Sequence, residues 1–303
     1  MNRKDFLKRA IKTTLGTGFF VSTPVLGSVF KKQNTDKTAS SFTDSTDILG
    51  FNHLPNSSTQ SIMANTVLHK ANTRGMADHG WLKSAHSFSF ASYYNPERMN
   101  FGVLRVLNDD IIAGGSGFGT HPHDNMEIIS IPIENGLRHK DSMGNTSFIK
   151  SGEIQVMSAG TGVLHSEVND TQETTKFLQI WVIPNKRNVT PRYDQIVLNS
   201  EDRKNKLQQI LSPNQDDEGV WIHQDAWFHL GDLDQGTKVN YELKKPSKNG
   251  VYVFVIKGNV HLKNGSETQE LDTKDGLGIW NTKKFELEAS QDAEVLLMEV
   301  PMS

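Results

Sequence analysis

Gly114-Gly-Ser-Gly-Phe-Gly-Thr-His121-Pro-His123-Asp-Asn-Met126-Glu-Ile-Ile-Ser-Ile-Pro-Ile133 joins a glycine-rich approach, two histidines two residues apart and a strand-sized apolar run. In an extended strand, residues i and i+2 point to the same face, so His121 and His123 can reach one ion. Similar runs recur at Phe177-Leu-Gln-Ile-Trp-Val-Ile183, Val251-Tyr-Val-Phe-Val-Ile256 and Ala293-Glu-Val-Leu-Leu-Met-Glu-Val300. Each is short, rich in β-branched residues and bounded by Gly, Asn, Asp or Pro, which is the pattern of strands. No long stretch keeps a helical period; only Glu201 to Leu211 reads as one short helix. The chain is expected to be all-β.

Working outward, Ile133-Glu-Asn-Gly136-Leu-Arg-His139 aligns with Ile256-Lys-Gly258-Asn-Val-His261 at a spacing of 122 residues, and Lys150-Ser-Gly152-Glu-Ile154 with Lys274-Asp-Gly276-Leu-Gly278-Ile279 at 124. Two tandem β-barrels would explain both spacings. Chance likeness between glycine-turn hairpins is the competing explanation. The stretch from Pro184 to Glu218, rich in proline and charge, reads as the connector between the halves.

The 303 residues include 32 basic and 35 acidic side chains, for a formal net charge of -3, and no cysteine. Lack of cysteine excludes disulfides, thiolate metal centres, iron–sulfur clusters and a cysteine nucleophile, so any metal must sit on histidine and carboxylate. Balanced charge without a long Lys/Arg run offers no footprint for nucleic acid.

Arg3, Lys4, Lys8, Arg9 and Lys12 precede a mildly apolar stretch, Leu15 to Leu26, and then Gly27 and Ser28. This is the order of an export signal. Residues 1–30 are read as such a signal, with the protein expected in the periplasm; a basic tail or short amphipathic helix is the alternative. The segment is too short and polar for a stable membrane span, which takes roughly 20 apolar residues. Residues 31–62, rich in Ser, Thr, Asn, Asp and Gln, read as a flexible linker. The expected folded units are residues 63–190 and 191–303.

His165-Ser-Glu167 repeats the i, i+2 spacing of the first histidine pair. If the two pairs lie on neighbouring strands, three imidazoles and one carboxylate converge. Such a set suits Fe(II), Mn(II), Ni(II), Cu(II) or Zn(II) and leaves coordination positions open. An isolated H-x-H is a weak signal, and the second pair strengthens it.

At these residues the chain resembles the cupins. His121-x-His123-x-x-x-Glu127 followed by Gly136 is similar to the first cupin motif, and Gly152 to Asn169 to the second. The H-P-H and H-x-E forms resemble one branch, the pirins. The likeness extends over Arg74-Gly-Met-Ala-Asp-His-Gly-Trp81, His86-Ser-Phe-Ser-Phe90, Leu104-Arg-Val-Leu-Asn-Asp-Asp110, His139-Lys-Asp-Ser-Met-Gly144, Met157-Ser-Ala-Gly-Thr-Gly162 and Thr190-Pro-Arg-Tyr193. It is dense over residues 66 to 195 and thin beyond. The resemblance implies a bicupin of two facing antiparallel jelly-roll barrels, acting as a monomer. It places one divalent metal, Fe(II) first among the candidates, on His121, His123, His165 and Glu167 of the N-terminal barrel.

Glu127, a ligand in many cupins, is read here as a supporting or structural residue, because pirins take the carboxylate from H-x-E. His139, with its counterpart His261, reads as a strand-surface or hydrogen-bonded histidine. His79, Trp81, His86, Phe88 and Phe90 either shape a substrate mouth or simply pack. Shifted by the two repeat spacings, His121, His123, Glu127, His165 and Glu167 become Leu243, Lys245, Asn249, Ala289 and Gln291, so the C-terminal barrel is expected to hold no ion.

The resemblance implies a quercetinase-like flavonol 2,3-dioxygenase acting on a small planar aromatic or enol substrate with O2. Glu167, ligand and base at once, would take the substrate's hydroxyl proton ahead of O2 attack. A non-enzymatic metal or redox sensor that binds a protein partner, as animal pirins bind transcription regulators, is the competing class, and the export signal argues against such a partner. A third reading is a metal-dependent enzyme on some other enol or aromatic substrate, with flavonol cleavage only a side reaction.

Overall fold

The computed structural model describes residues 64–303. The expected export signal and linker lie outside them. No helix among the described residues is long and apolar enough to cross a membrane. The first half contributes β1 (Asn65–His69), β2 (Gly75–Asp78), β3 (Leu82–His86), β4 (Leu104–Ile112), β5 (Ser116–His123), β6 (Glu127–Glu134), β7 (Gly136–Asp141), β8 (Thr146–Lys150), β9 (Glu153–Ser158), β10 (Val163–Asn169), β11 (Thr175–Val182) and β12 (Arg192–Val197). The second contributes β13 (Gln208–Ser212), β14 (Val220–Trp221), β15 (Trp227–Leu233), β16 (Lys238–Glu242), β17 (Asn249–Lys257), β18 (Asn259–Asn264), β19 (Glu267–Asp272), β20 (Gly276–Trp280), β21 (Lys284–Ala289) and β22 (Ala293–Pro301).

These strands build two jelly-roll sandwiches with the same plan. In the first, a seven-stranded sheet ordered β12-β9-β6-β11-β4-β3-β2 faces a four-stranded sheet ordered β5-β10-β7-β8; in the second, β1-β20-β17-β22-β15-β13-β14 faces β16-β21-β18-β19. The expected barrels are thus two-sheet sandwiches, and the internal repeat is real at the level of strand order. The halves exchange edge strands. β1, within the expected N-terminal unit, pairs with β20, while β12, past the expected boundary, pairs with β9.

One core cluster joins the two large sheets back to back, with Ile129, Ile154, Leu178 and Ile180 meeting Phe228, Tyr252, Phe254 and Met298. Alternation along each strand then sends the intervening residues into the interior of its own sandwich. Ile128 belongs to the interior cluster of the first half, whereas its neighbour Ile129 belongs to the shared core.

The segment Glu201 to Leu211 is not a helix. It is a 3-10 turn at Ser200–Asp202 followed by β13, which is hydrogen-bonded to β15. Ile210 and Leu211 are buried in the shared core, so sheet pairing overrides a weak local helical preference.

Candidate metal centre

β10 positions half of the centre by simple alternation. Val163, His165, Glu167 and Asn169 are buried and point inward, while Leu164, Ser166 and Val168 are more exposed. β5 supplies the rest with an irregularity. His165 pairs with His121 and Val163 with His123, yet Glu167 pairs with Phe118, so β5 holds one extra residue at Gly119–Thr120. This bulge lets both Phe118 and His121 face the interior, which strict alternation forbids. Gly117 is required beside it, because a Cβ there would lie 2.4 Å from the Glu167 carbonyl oxygen.

The three imidazoles meet. Ligand nitrogens of His121, His123 and His165 all lie within 4.8 Å of one another. Ring centroids are 4.8 Å apart for His121 and His123, 4.4 Å for His121 and His165 and 4.9 Å for His123 and His165. His121 Nδ1 donates to the Gly119 carbonyl at 2.8 Å, which orients the ring and leaves Nε2 for the centre. His123 Nε2 and both nitrogens of His165 are buried without a hydrogen-bond partner. Burial lowers the pKa of all three, His123 to about 3 and His165 well below its ordinary value. The rings are therefore neutral near pH 7, as ligation requires. A cluster of buried lone pairs with no internal partner fits a divalent cation.

Glu167 lies outside the three-histidine group. Its carboxylate faces the large sheet, where Ser130 Oγ donates to Oε1 at 2.7 Å and Gln179 Nε2 donates to Oε2 at 2.9 Å. Ser130 and Gln179 are themselves register partners on β6 and β11. Glu127 faces away from the histidines, accepts from Ser158 Oγ at 2.6 Å, and has its pKa raised by burial to about 7.

Among the aromatic candidates, Phe88 sits in the shared core and packs against His69 and Tyr252. Phe90 meets Trp181 edge-on at 5.4 Å, and Trp81 meets Phe118 edge-on at 5.3 Å. Trp181, not anticipated as part of the site, stands edge-on to His123 at 5.0 Å. Its signal was available: in Phe177-Leu-Gln-Ile-Trp181, period two places Phe177, Gln179 and Trp181 on one face, and Gln179 is a polar residue in an apolar strand. Likewise Ser130 interrupts the isoleucines of β6. His139 is fully buried rather than on a strand surface, and Tyr193 of β12 stacks on it at 4.6 Å.

The second sandwich keeps the geometry and replaces the chemistry. Glu167 pairs with His139 across β10 and β7, as Leu287 pairs with Leu262 across β21 and β18. His165 pairs with His121 as Phe285 pairs with Tyr241. Thus Tyr241, Leu243, Phe285 and Leu287, all buried in one hydrophobic cluster, occupy the places of His121, His123, His165 and Glu167. This corrects the expected counterparts Lys245, Ala289 and Gln291 and moves Leu243 from the place of His121 to that of His123. The spacing between the halves is not constant: it is 120 from His121 to Tyr241 and from His165 to Phe285 but 123 from His139 to Leu262, so carrying one fixed spacing along the repeat misplaces the register.

A bicupin with a histidine centre in its first half alone is the class this architecture defines. A family profile described as Pirin matches residues 67–182, and one described as Quercetinase C-terminal cupin domain matches residues 209–300. A quercetin 2,3-dioxygenase of Escherichia coli K12 is 43% identical over 235 residues, covering 77% of this chain and 98% of that protein. A pirin-like protein of Caulobacter vibrioides is 40% identical over 226 residues, 74% of this chain and 95% of that one. The crystal structure of the bacterial pirin YhhW from Escherichia coli in complex with nickel(II) has a TM-score of 0.73 at 40% identity, covering 79% of this chain and all of that one. The chain belongs to the pirin family.

Proposed function

We propose that the protein is a metal-dependent dioxygenase of the quercetin 2,3-dioxygenase type, acting on a planar phenolic or enol substrate with O2. The observation that carries this reading is the group of three neutral imidazoles, with buried unpartnered nitrogens on His123 and His165 and an inward carboxylate two residues beyond His165, in a chain 43% identical to a quercetin 2,3-dioxygenase. His121, His123 and His165 hold the metal, with Glu167 as the fourth ligand. Fe(II) heads the candidates, followed by Mn, Ni, Cu and Zn; the nickel(II) complex of YhhW supports a first-row divalent ion. When bound, such an ion supplies Lewis acidity at the substrate's enol oxygen and redox access to O2.

The chain's own residues supply the rest. Glu167 takes the substrate's hydroxyl proton, and Ser130 and Gln179 hold its two oxygens until it does so. Trp181 borders His123 and Phe118 borders His121, with Phe90 packed against Trp181, and these apolar rings suit a flat substrate ring. The export reading stands beside this as a second proposal, supported by the basic and apolar order of residues 3–28. The test is flavonol loss and CO release by protein reconstituted with each candidate metal. Turnover supports the enzyme; metal uptake without turnover under any of the metals moves the reading to a sensor.

A further inference from the structure

We propose that His139 is a positioning residue of the metal centre. With a metal on one nitrogen of His165, Nδ1 of His139 would accept the N–H of the other, while its Nε2–H goes to Asp141, so that a His165–His139–Asp141 chain would orient one ligand ring. The inference rests on the reading that His121, His123 and His165 hold the metal.

The tautomer of His139 follows from its partner. His139 Nε2 lies 3.0 Å from Asp141 Oδ2, and both side chains are fully buried. Asp141 also accepts from the Met143 and Asn145 backbone N–H groups and from Asn145 Nδ2. A carboxylate receiving that many donors is ionised and can only accept, so His139 carries a proton on Nε2, and in the neutral ring Nδ1 is then the lone pair. That Nδ1 is buried without a hydrogen-bond partner.

His165 has the complementary need. A metal takes one of its nitrogens, and the other then bears a buried N–H whose desolvation goes uncompensated unless an acceptor is near. The His139 ring is 5.5 Å away, centroid to centroid, tilted by 49°. Strand pairing holds the four residues in place: His165 is the register partner of Asp141, and Glu167 that of His139. The Tyr193 ring lies 4.6 Å from that of His139, tilted by 33°, and its hydroxyl donates to Gln195 at 2.6 Å.

The second sandwich serves as an internal control. There Phe285 stands in the place of His165 and Leu262 in that of His139, so supporting imidazole and ligand are missing together.

Co(II), whose visible bands report ligand geometry, is the probe, titrated into the whole protein. Asp141→Asn keeps an oxygen for the two backbone N–H groups but turns an NH2 toward Nε2. This forces the His139 proton onto Nδ1, against the N–H of His165. Co(II) affinity is expected to fall roughly 10- to 100-fold with altered bands, while the melting curve of the metal-free protein stays near the parent's. His139→Leu, the residue already accommodated at Leu262, should show the same loss. His139→Gln, with both an acceptor and a donor, should recover part of it. Parent-like affinity and bands in Asp141→Asn and His139→Leu overturn the proposal; if His139→Leu does not fold, Asp141→Asn and His139→Gln decide. A parent that binds no Co(II), or a His123→Ala variant that binds it fully, removes the metal reading itself and this inference with it.

Discussion

His165 and His121 are direct partners across β10 and β5, their rings 4.4 Å apart, while Glu167, two residues on, faces Phe118 rather than Gly119. One strand pair and one bulge therefore set the spacing of the centre. Because the donors sit on paired strands and not on loops, their geometry is prepared before any ligand arrives.

The first prediction concerns that centre. His123→Ala leaves two imidazoles where three converge, so metal content should fall from one per chain to near zero. Elemental analysis of purified protein measures this, and full occupancy would take His123 out of the ligand set.

Glu167 separates binding from proton transfer. Glu167→Gln keeps an oxygen for the metal but removes the base, so oxygen consumption with a flavonol, normalised to bound metal, should drop on the order of 100- to 10,000-fold. Equal normalised rates in parent and variant would make Glu167 a ligand only.

Glu127 gives a dependence of stability on pH. Burial raises its folded pKa from 4.5 to about 7, so between these values the folded state keeps a proton that the unfolded chain has released. Its contribution is complete below pH 4.5 and is lost as pH rises toward 7, a decline of about 3 kcal/mol at ~1.4 kcal/mol per pH unit. Glu127→Gln should remove the decline, so denaturant unfolding should show the variant gaining on the parent from pH 4.5 to 8. Parallel curves would contradict this.

The second sandwich holds apolar side chains where the first holds ligands. Leu287→Ala should cost about 2–5 kcal/mol in denaturant unfolding through the cavity it leaves, with metal content unchanged. Loss of metal in this variant would mean that the second half contributes to the centre.

Export predicts a shortened chain. The expected product lacks about the first 27 residues and is found in the periplasm. Fractionation with N-terminal sequencing checks it, and a wholly cytoplasmic protein that retains Met1 would refute it.

What the sequence determined by itself was everything that depends on local period. Short β-branched runs define strands, i and i+2 place His121 with His123 and His165 with Glu167, and the lack of cysteine narrows the metal donors to histidine and carboxylate. That the second half lacks histidines at these places was also legible, although its residue counterparts were not, because the spacing between the halves changes from 120 to 123 along the repeat and only strand pairing fixes it. Tertiary structure decided which strands pair. It brought β12, and with it Tyr193, beside His139, and sent β1 to the other sandwich. It turned Gln208–Ser212 into a strand against β15. It added the bulge that admits Phe118 and His121 to one interior, and it set Ser130 and Gln179 against the Glu167 carboxylate. Period is a property of neighbouring residues along the chain, whereas partner choice is settled by the hydrogen bonding and burial of segments far apart in it, and those terms outweigh local propensity.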